Sequence, residues 1–170
     1  AEAATAEATA LIHSIPTKSN GPVKALAFNI LDTTLLAAGD SSGQVHVIDL
    51  SKMIIDNAGG SHHHPPLVSE PSPGHKQSAE ITAVAWNSQV SHILASASAD
   101  GSIAVWDLHS RKAWCELRAE HAGQAVADIC WNPKQGLHLL SASADDRNPV
   151  LRVWDLGAST SMPVTQLQGG

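Results

Sequence analysis

Short apolar runs rich in Val, Ile and Leu recur along the chain, bounded by Asp-Gly, Ser-Gly and Asn-Pro turns. Runs of that length with β-branched residues and turn punctuation predict strands rather than helices. Three segments repeat the pattern: VKALAFNILDTTLLAAGDSSGQVHVIDL from Val23 to Leu50, ITAVAWNSQVSHILASASADGSIAVWDL from Ile81 to Leu108, and VADICWNPKQGLHLLSASADDRNPVLRVWDL from Val126 to Leu156. Each has an apolar run ending at Phe28, Trp86 or Trp131 before an Asn, then a small-residue run, a tight turn, a β-branched run and Asp-Leu. Phe28 and Trp86 lie 58 residues apart, as do Ile48 and Trp106, so the first two segments align without a gap; the third carries three extra residues around Asn148 and Pro149.

Within a unit the pattern predicts how each strand is buried. ITAVAWN is apolar on both faces, as expected of a strand sandwiched between neighbouring sheets. In LASASADG, Ser96 and Ser98 share one face and Ala95, Ala97 and Ala99 the other, and such small residues let sheets approach closely. Asp100-Gly101 closes a hairpin, where Gly accepts the positive φ the turn needs, and SIAVWDL returns as a central strand. A fourth, outer strand per unit is expected near Leu67–Ser69, Ala113–Arg118 and Val164–Gln168, and a further outer strand at Leu11–Ile15.

Four short antiparallel strands repeated at 48 residues or more and ending in Trp-Asp resemble the WD-repeat β-propeller family. The implied fold is all-β: an incomplete propeller of about three four-stranded antiparallel blades out of seven. Its expected parts are an Ala-rich lead-in at 1–20, a degenerate unit at 21–70 with a His/Pro-rich insertion at 51–66, and two further units at 71–120 and 121–170. The resemblance implies a structural hydrogen-bond relay from Trp through Ser and His to the turn Asp. The second unit offers His75, Ser96 or Ser98, Asp100 and Trp106, and the third offers His121, Ser141 or Ser143, Asp145 and Trp154. The first unit has Asn20, Ser42 and Ile48 at the His, Asp and Trp places and is expected to rely on packing alone.

The same Ser, His and Asp residues are those of a hydrolase triad, but a catalytic group is needed once and this set recurs. No Gly-x-Ser-x-Gly elbow is present, so the reading is non-enzymatic, with no catalytic residue, cofactor or metal site. His62, His63 and His64 are consecutive and cannot all face one ion from a regular strand, and Pro65, Pro66, Pro71 and Pro73 make that stretch an extended, solvated insertion.

The formal net charge of −6 and the lack of a dense Lys/Arg cluster argue against nucleic acid as a partner. No apolar run is long enough to span a bilayer, so direct membrane insertion is not expected. The start, AEAATAEATALIHS, has no basic residue before its apolar part and so does not read as a signal peptide; it also lacks an initiator Met, and the chain is expected to be a piece of a longer polypeptide. Three blades cannot close a ring, so the piece alone is expected to be marginal and prone to associate. Cys115 and Cys130 have no metal-ligand spacing and read as reduced structural thiols in a cytosolic setting.

A narrower resemblance rests on the string from Asn87 to Ser98, on GPVKALAFNI and on the Asp145-Asp146-Arg147-Asn148-Pro149 insertion before Trp-Asp. These are similar to the propeller of the large outer-shell subunit of the COPII vesicle coat, the Sec-thirty-one family. That resemblance implies a scaffold in endoplasmic-reticulum-to-Golgi transport, cytoplasmic and peripheral on exit sites and COPII vesicles. Its implied partners are other coat subunits: a small WD-repeat outer-coat protein and further copies of the same subunit at cage vertices. The competing reading is a generic WD-repeat adaptor of another complex. Asp146, Arg147, Asn148 and Pro149 are the expected protein-contact loop.

Overall fold

The computed structural model describes residues 21–51, 79–118 and 124–169. Eleven strands run in chain order: β1 (Val23–Phe28), β2 (Leu35–Asp40), β3 (Val45–Asp49), β4 (Ile81–Trp86), β5 (Ile93–Ser98), β6 (Ser102–Asp107), β7 (Lys112–Arg118), β8 (Val126–Trp131), β9 (His138–Ser143), β10 (Val150–Asp155) and β11 (Thr165–Gln168). They form three antiparallel meanders, β1-β2-β3, β4-β5-β6-β7 and β8-β9-β10-β11. The outer strands β7 and β11 fall where the repeat placed them; the stretches at 11–15 and 67–69 lie outside the described residues.

Each innermost strand carries a register irregularity at the same place, between Val23 and Ala25, Ile81 and Ala83, and Val126 and Asp128. A bulge there raises the local twist and re-aims the strand. The hairpin turns obey the glycine rule: Gly43 and Gly101 have φ of 84° and 85°. Where the third unit departs from this turn, six residues rather than three link β9 to β10, and Ser143 Oγ accepts the N–H of Val150 at 2.9 Å.

The core lies between sheets. One cluster joins Ala37 and Val45 of the first sheet to Ile81, Val84, Trp86, Leu94 and Trp106 of the second. The other joins Ala95, Ala97, Ile103, Val105 and Leu117 of the second to Ile129, Trp131, Leu139 and Trp154 of the third. Fully burying one of the larger aliphatic side chains contributes about 1.5–3 kcal/mol. Small residues on β2 and β5 set the spacing: a Cβ at Gly39 would lie 2.7 Å from Ile81 Cβ.

Directional bonds repeat between sheets as well. The Trp86 indole N–H donates to Ala27 O at 2.9 Å, and that of Trp131 to Ala85 O at 3.1 Å. Asn29 Nδ2 donates to Ser91 O at 2.7 Å, and Asn87 Nδ2 to Gly136 O at 2.6 Å. Each of these Asn residues is buried, and its Oδ1 accepts two backbone N–H groups of its own turn. One side chain thus shapes a turn and fastens it to the next sheet.

One expectation of the repeat needs correction. Asp40 is fully buried in the first sheet: Oδ1 accepts Ser42 N, Ser42 Oγ and Gln44 N, and Oδ2 meets His46 Nε2 at 2.9 Å. That sheet therefore does not rely on packing alone. Its Asp sits at the end of β2, at the place of Ser98, and its His is on β3, where a motif aligned on the turn residue does not look. Both cysteines are free thiols: Cys130 is exposed on β8, whereas burial pushes the Cys115 thiol up to about 11 and keeps it protonated at neutral pH.

Replacing Gly39 with Val is expected to destabilise the chain by about 1–3 kcal/mol, because the branched side chain must displace Ile81 from a packed interface. Chemical denaturation followed by Trp fluorescence measures this; an unchanged midpoint would mean that the sheets are not in close contact there.

Candidate functional site

The strongest chemical signal of the sequence, the recurring Ser, Asp and Trp residues, resolves into turn and strand ties. Trp106 Nε1 donates to Ser96 Oγ at 2.9 Å, and Trp154 Nε1 to Ser141 Oγ at 3.0 Å. Both bonds are buried and run between adjacent strands, β6 to β5 and β10 to β9. Of the paired alternatives, the indoles thus select Ser96 and Ser141. Ser98 and Ser143 serve the hairpins instead, with Asp100 N donating to Ser98 Oγ at 3.3 Å.

The turn carboxylates are also occupied. Asp100 Oδ1 accepts the backbone N–H and hydroxyl of Ser102, and its Oδ2 lies 3.7 Å from Arg118 Nη2. Asp145 Oδ1 accepts Arg147 N at 2.9 Å and Asn148 N at 3.3 Å, and its Oδ2 accepts Gln124 Nε2 at 3.1 Å. His75 and His121 lie outside the described residues. Ser96 and Ser141 already accept an indole N–H in a buried setting, so neither hydroxyl is presented to a substrate.

The inserted loop stands apart from these ties. Asp146, Arg147, Asn148 and Pro149 are all exposed. Asp145 shapes the loop's start, and Gly169 N donates to Pro149 O at 2.9 Å at its end. The loop is therefore exposed yet held at both ends.

Two features were not found from the sequence. One is a cavity of about 280 Å³ between the second and third sheets, lined by residues including Val90, His92, Trp114, Trp131 and Leu137. The other is a group of ligand-type side chains, His92, Asp107 and His109, where the start of β5 meets the end of β6 in the second sheet. The β5–β6 register pairs Ile93 with Asp107, which brings a residue before one strand beside residues after the next. The pairing of a Trp-Asp end with a His fifteen residues earlier was the available signal.

Asp100→Ala is expected to cost about 1–3 kcal/mol from hydrogen bonds left unmade. Asp40→Ala is expected to cost more, on the order of 3 kcal/mol, since Ser42 N, Ser42 Oγ, Gln44 N and His46 Nε2 all lose their partner at a buried site. Denaturation midpoints test both. A wild-type midpoint for Asp100→Ala would remove that residue from the set of structural ties.

Comparison with known proteins agrees with this architecture. Residues 8–169 match the family described as Nucleolar protein 10-like, N-terminal domain. Protein transport protein SEC31 of Dictyostelium discoideum is 38% identical over 154 residues, 89% of this chain and 10% of that protein. Protein transport protein Sec31A of Homo sapiens is 33% identical over 144 residues, 85% of this chain and 11% of that protein. The chain thus spans about a tenth of the length of these curated relatives. Among solved structures, a chain of COPII on membranes, outer coat vertex, superposes with a TM-score of 0.72 at 26% identity, covering 87% of this chain and 38% of that chain. The β-propeller domain of Cps50 (Swd1) from Myceliophteria thermophila superposes with a TM-score of 0.61 at 22% identity, over 93% of this chain and 40% of that chain, a likeness of fold alone. By its three meandering sheets and by these matches, the chain belongs to the β-propeller family described as Nucleolar protein 10-like, N-terminal domain, and is a sequence homologue of Sec31 proteins.

Proposed function

We propose that the chain is part of a non-enzymatic scaffold in the outer layer of the COPII coat, acting in endoplasmic-reticulum-to-Golgi transport. The observation that carries this reading is 38% identity to a Sec31 protein spread over 89% of the chain. The 0.72 TM-score against a chain of the COPII outer coat vertex supports it independently of the sequence motifs. The chemistry is compatible: the repeated hydroxyls and carboxylates are engaged in ties within the sheets. Among the described residues no helix is long and apolar enough to cross a membrane. In this reading the protein is peripheral on the cytoplasmic side of exit sites, and its partners are other coat subunits: a small WD-repeat protein and further copies of itself.

The exposed loop Asp146-Arg147-Asn148-Pro149 is the contact element we assign to that role. A loop held at both ends loses little conformational freedom on docking, so more of its contact energy appears as affinity. Arg147 offers a planar donor fork suited to a partner carboxylate.

A second reading, a WD-repeat adaptor of another complex, draws on the matching family's description, which names a nucleolar protein. Location separates the two. The tagged parent polypeptide is expected at puncta shared with a COPII coat marker, and nucleolar accumulation would sink the coat reading. Replacing Asp146-Arg147-Asn148-Pro149 by Asn-Gly is expected to leave the unfolding midpoint within about 1 kcal/mol of wild type and to weaken co-assembly with coat subunits. Full co-assembly with that replacement would remove the loop from the interface.

A further inference from the structure

The third central strand of every unit ends in an Asp that shapes the following turn. Asp49 Oδ1 accepts Ser51 N at 3.0 Å, Asp107 Oδ1 accepts His109 N at 2.9 Å, and Asp155 Oδ1 accepts Gly157 N at 2.9 Å. That part is a repeated structural device. The second unit adds something the others lack. At the places of His92 and His109 the first unit has Thr34 and Ser51, and the third has Leu137 and Gly157. A feature used once in three repeats is not required by the fold.

The two added imidazoles converge on the Asp. His92, just before β5, is tied to the end of β6 by the bond from Leu108 N to His92 O at 2.9 Å. Asp107 and His109 are two residues apart at the end of β6. One ligand atom from each of the three side chains lies within 4.8 Å of the others. The two rings stack with centroids 3.9 Å apart and an interplanar angle of 18°.

We propose that His92, Asp107 and His109 form a binding site for a divalent transition cation of the Zn²⁺ class, with His₂Asp ligation from one blade and the remaining coordination open to solvent. Two imidazoles and one carboxylate are a donor set that suits Zn²⁺ over Ca²⁺ or Mg²⁺, which prefer oxygen alone. Ligand atoms of a tetrahedral Zn²⁺ site with bonds of about 2.0–2.1 Å sit roughly 3.3 Å apart, so the cluster must contract on binding. His109 is exposed and can swing out of the stack to do so, while half-buried His92 and Asp107 hold their places. His92 and Asp107 also line the cavity bordered by Trp114, Trp131 and Leu137, so a bound ion would stand beside that cavity.

The test uses the whole chain with His62, His63 and His64 replaced by Ala, so that the histidine run cannot contribute. Zn²⁺ is titrated calorimetrically and Co²⁺ by its visible absorption, which reports coordination number. One ion per chain is expected, with affinity falling about ten-fold or more in His109→Ala and in His92→Ala. His138→Ala, which alters the His138–Asp155 pair of the third unit, is expected to leave binding unchanged. Failure to bind either ion, or equal affinity in His109→Ala, would overturn the site. His109 is exposed, so its Ala variant keeps the fold, and an unfolding curve in EDTA matching the parent's verifies this should His92→Ala prove unstable.

Discussion

Face-to-face packing of one twisted sheet on the next is the contact on which everything else in this molecule depends. A single four-stranded meander cannot bury its own apolar faces, so its stability resides in the interface with its neighbours. Here that interface is built from an asymmetric pair of surfaces. One sheet offers Ala and Gly, as at Ala37, Gly39, Ala95 and Ala97, and the next offers Trp, Leu and Ile, as at Trp86, Leu94, Trp131 and Leu139. Small against large lets the backbones approach closely while the bulky side chains fill most of the space between them.

Packing alone is tolerant of sliding, and the hydrogen bonds between sheets remove that freedom. An indole N–H at the end of an innermost strand, and an Asn amide one residue later, each find a carbonyl on the adjoining sheet. Leaving such buried donors unpaired would cost more than the bonds contribute, so they act chiefly by excluding alternative registers. The Trp–Ser and Asp ties within sheets do the same for strand order and turn shape. Polar residues that look catalytic in one dimension are therefore consumed by the architecture. This is also why chemistry, where it exists, has to be sought in what one unit has and the others lack. The histidines flanking Asp107 meet that criterion, and so does the insertion after Asp145.

A scaffold role is consistent with this division of labour. The interior repeats because each blade solves the same packing problem. The exposed turns differ because nothing in that problem constrains them. Loop tips held by Asx-type bonds, such as the one Asp145 organises, combine variability of sequence with definition of shape.

The sequence by itself determined the strand-rich class, the three repeats, the hairpin glycines and the positions of the two outer strands that are described. Those follow from local periodicity and turn chemistry, which act over a few residues. It suggested a relay in which Ser96 and Ser98 were equal candidates, because alternation places both on one face and only the cross-strand register selects the one opposite the indole. Only the tertiary structure decided the rest. Asp40 and His46 pair through a hairpin that breaks the motif's spacing, so no alignment of repeats exposes them. Asn29 and Asn87 look like ordinary turn residues until the neighbouring sheet supplies Ser91 O and Gly136 O. His92 meets His109 across seventeen residues of chain because the β5–β6 register brings the start of one strand beside the end of the other. Contacts of that kind depend on where whole elements come to rest, and that is set by the sum of the packing rather than by any residue pattern along the chain.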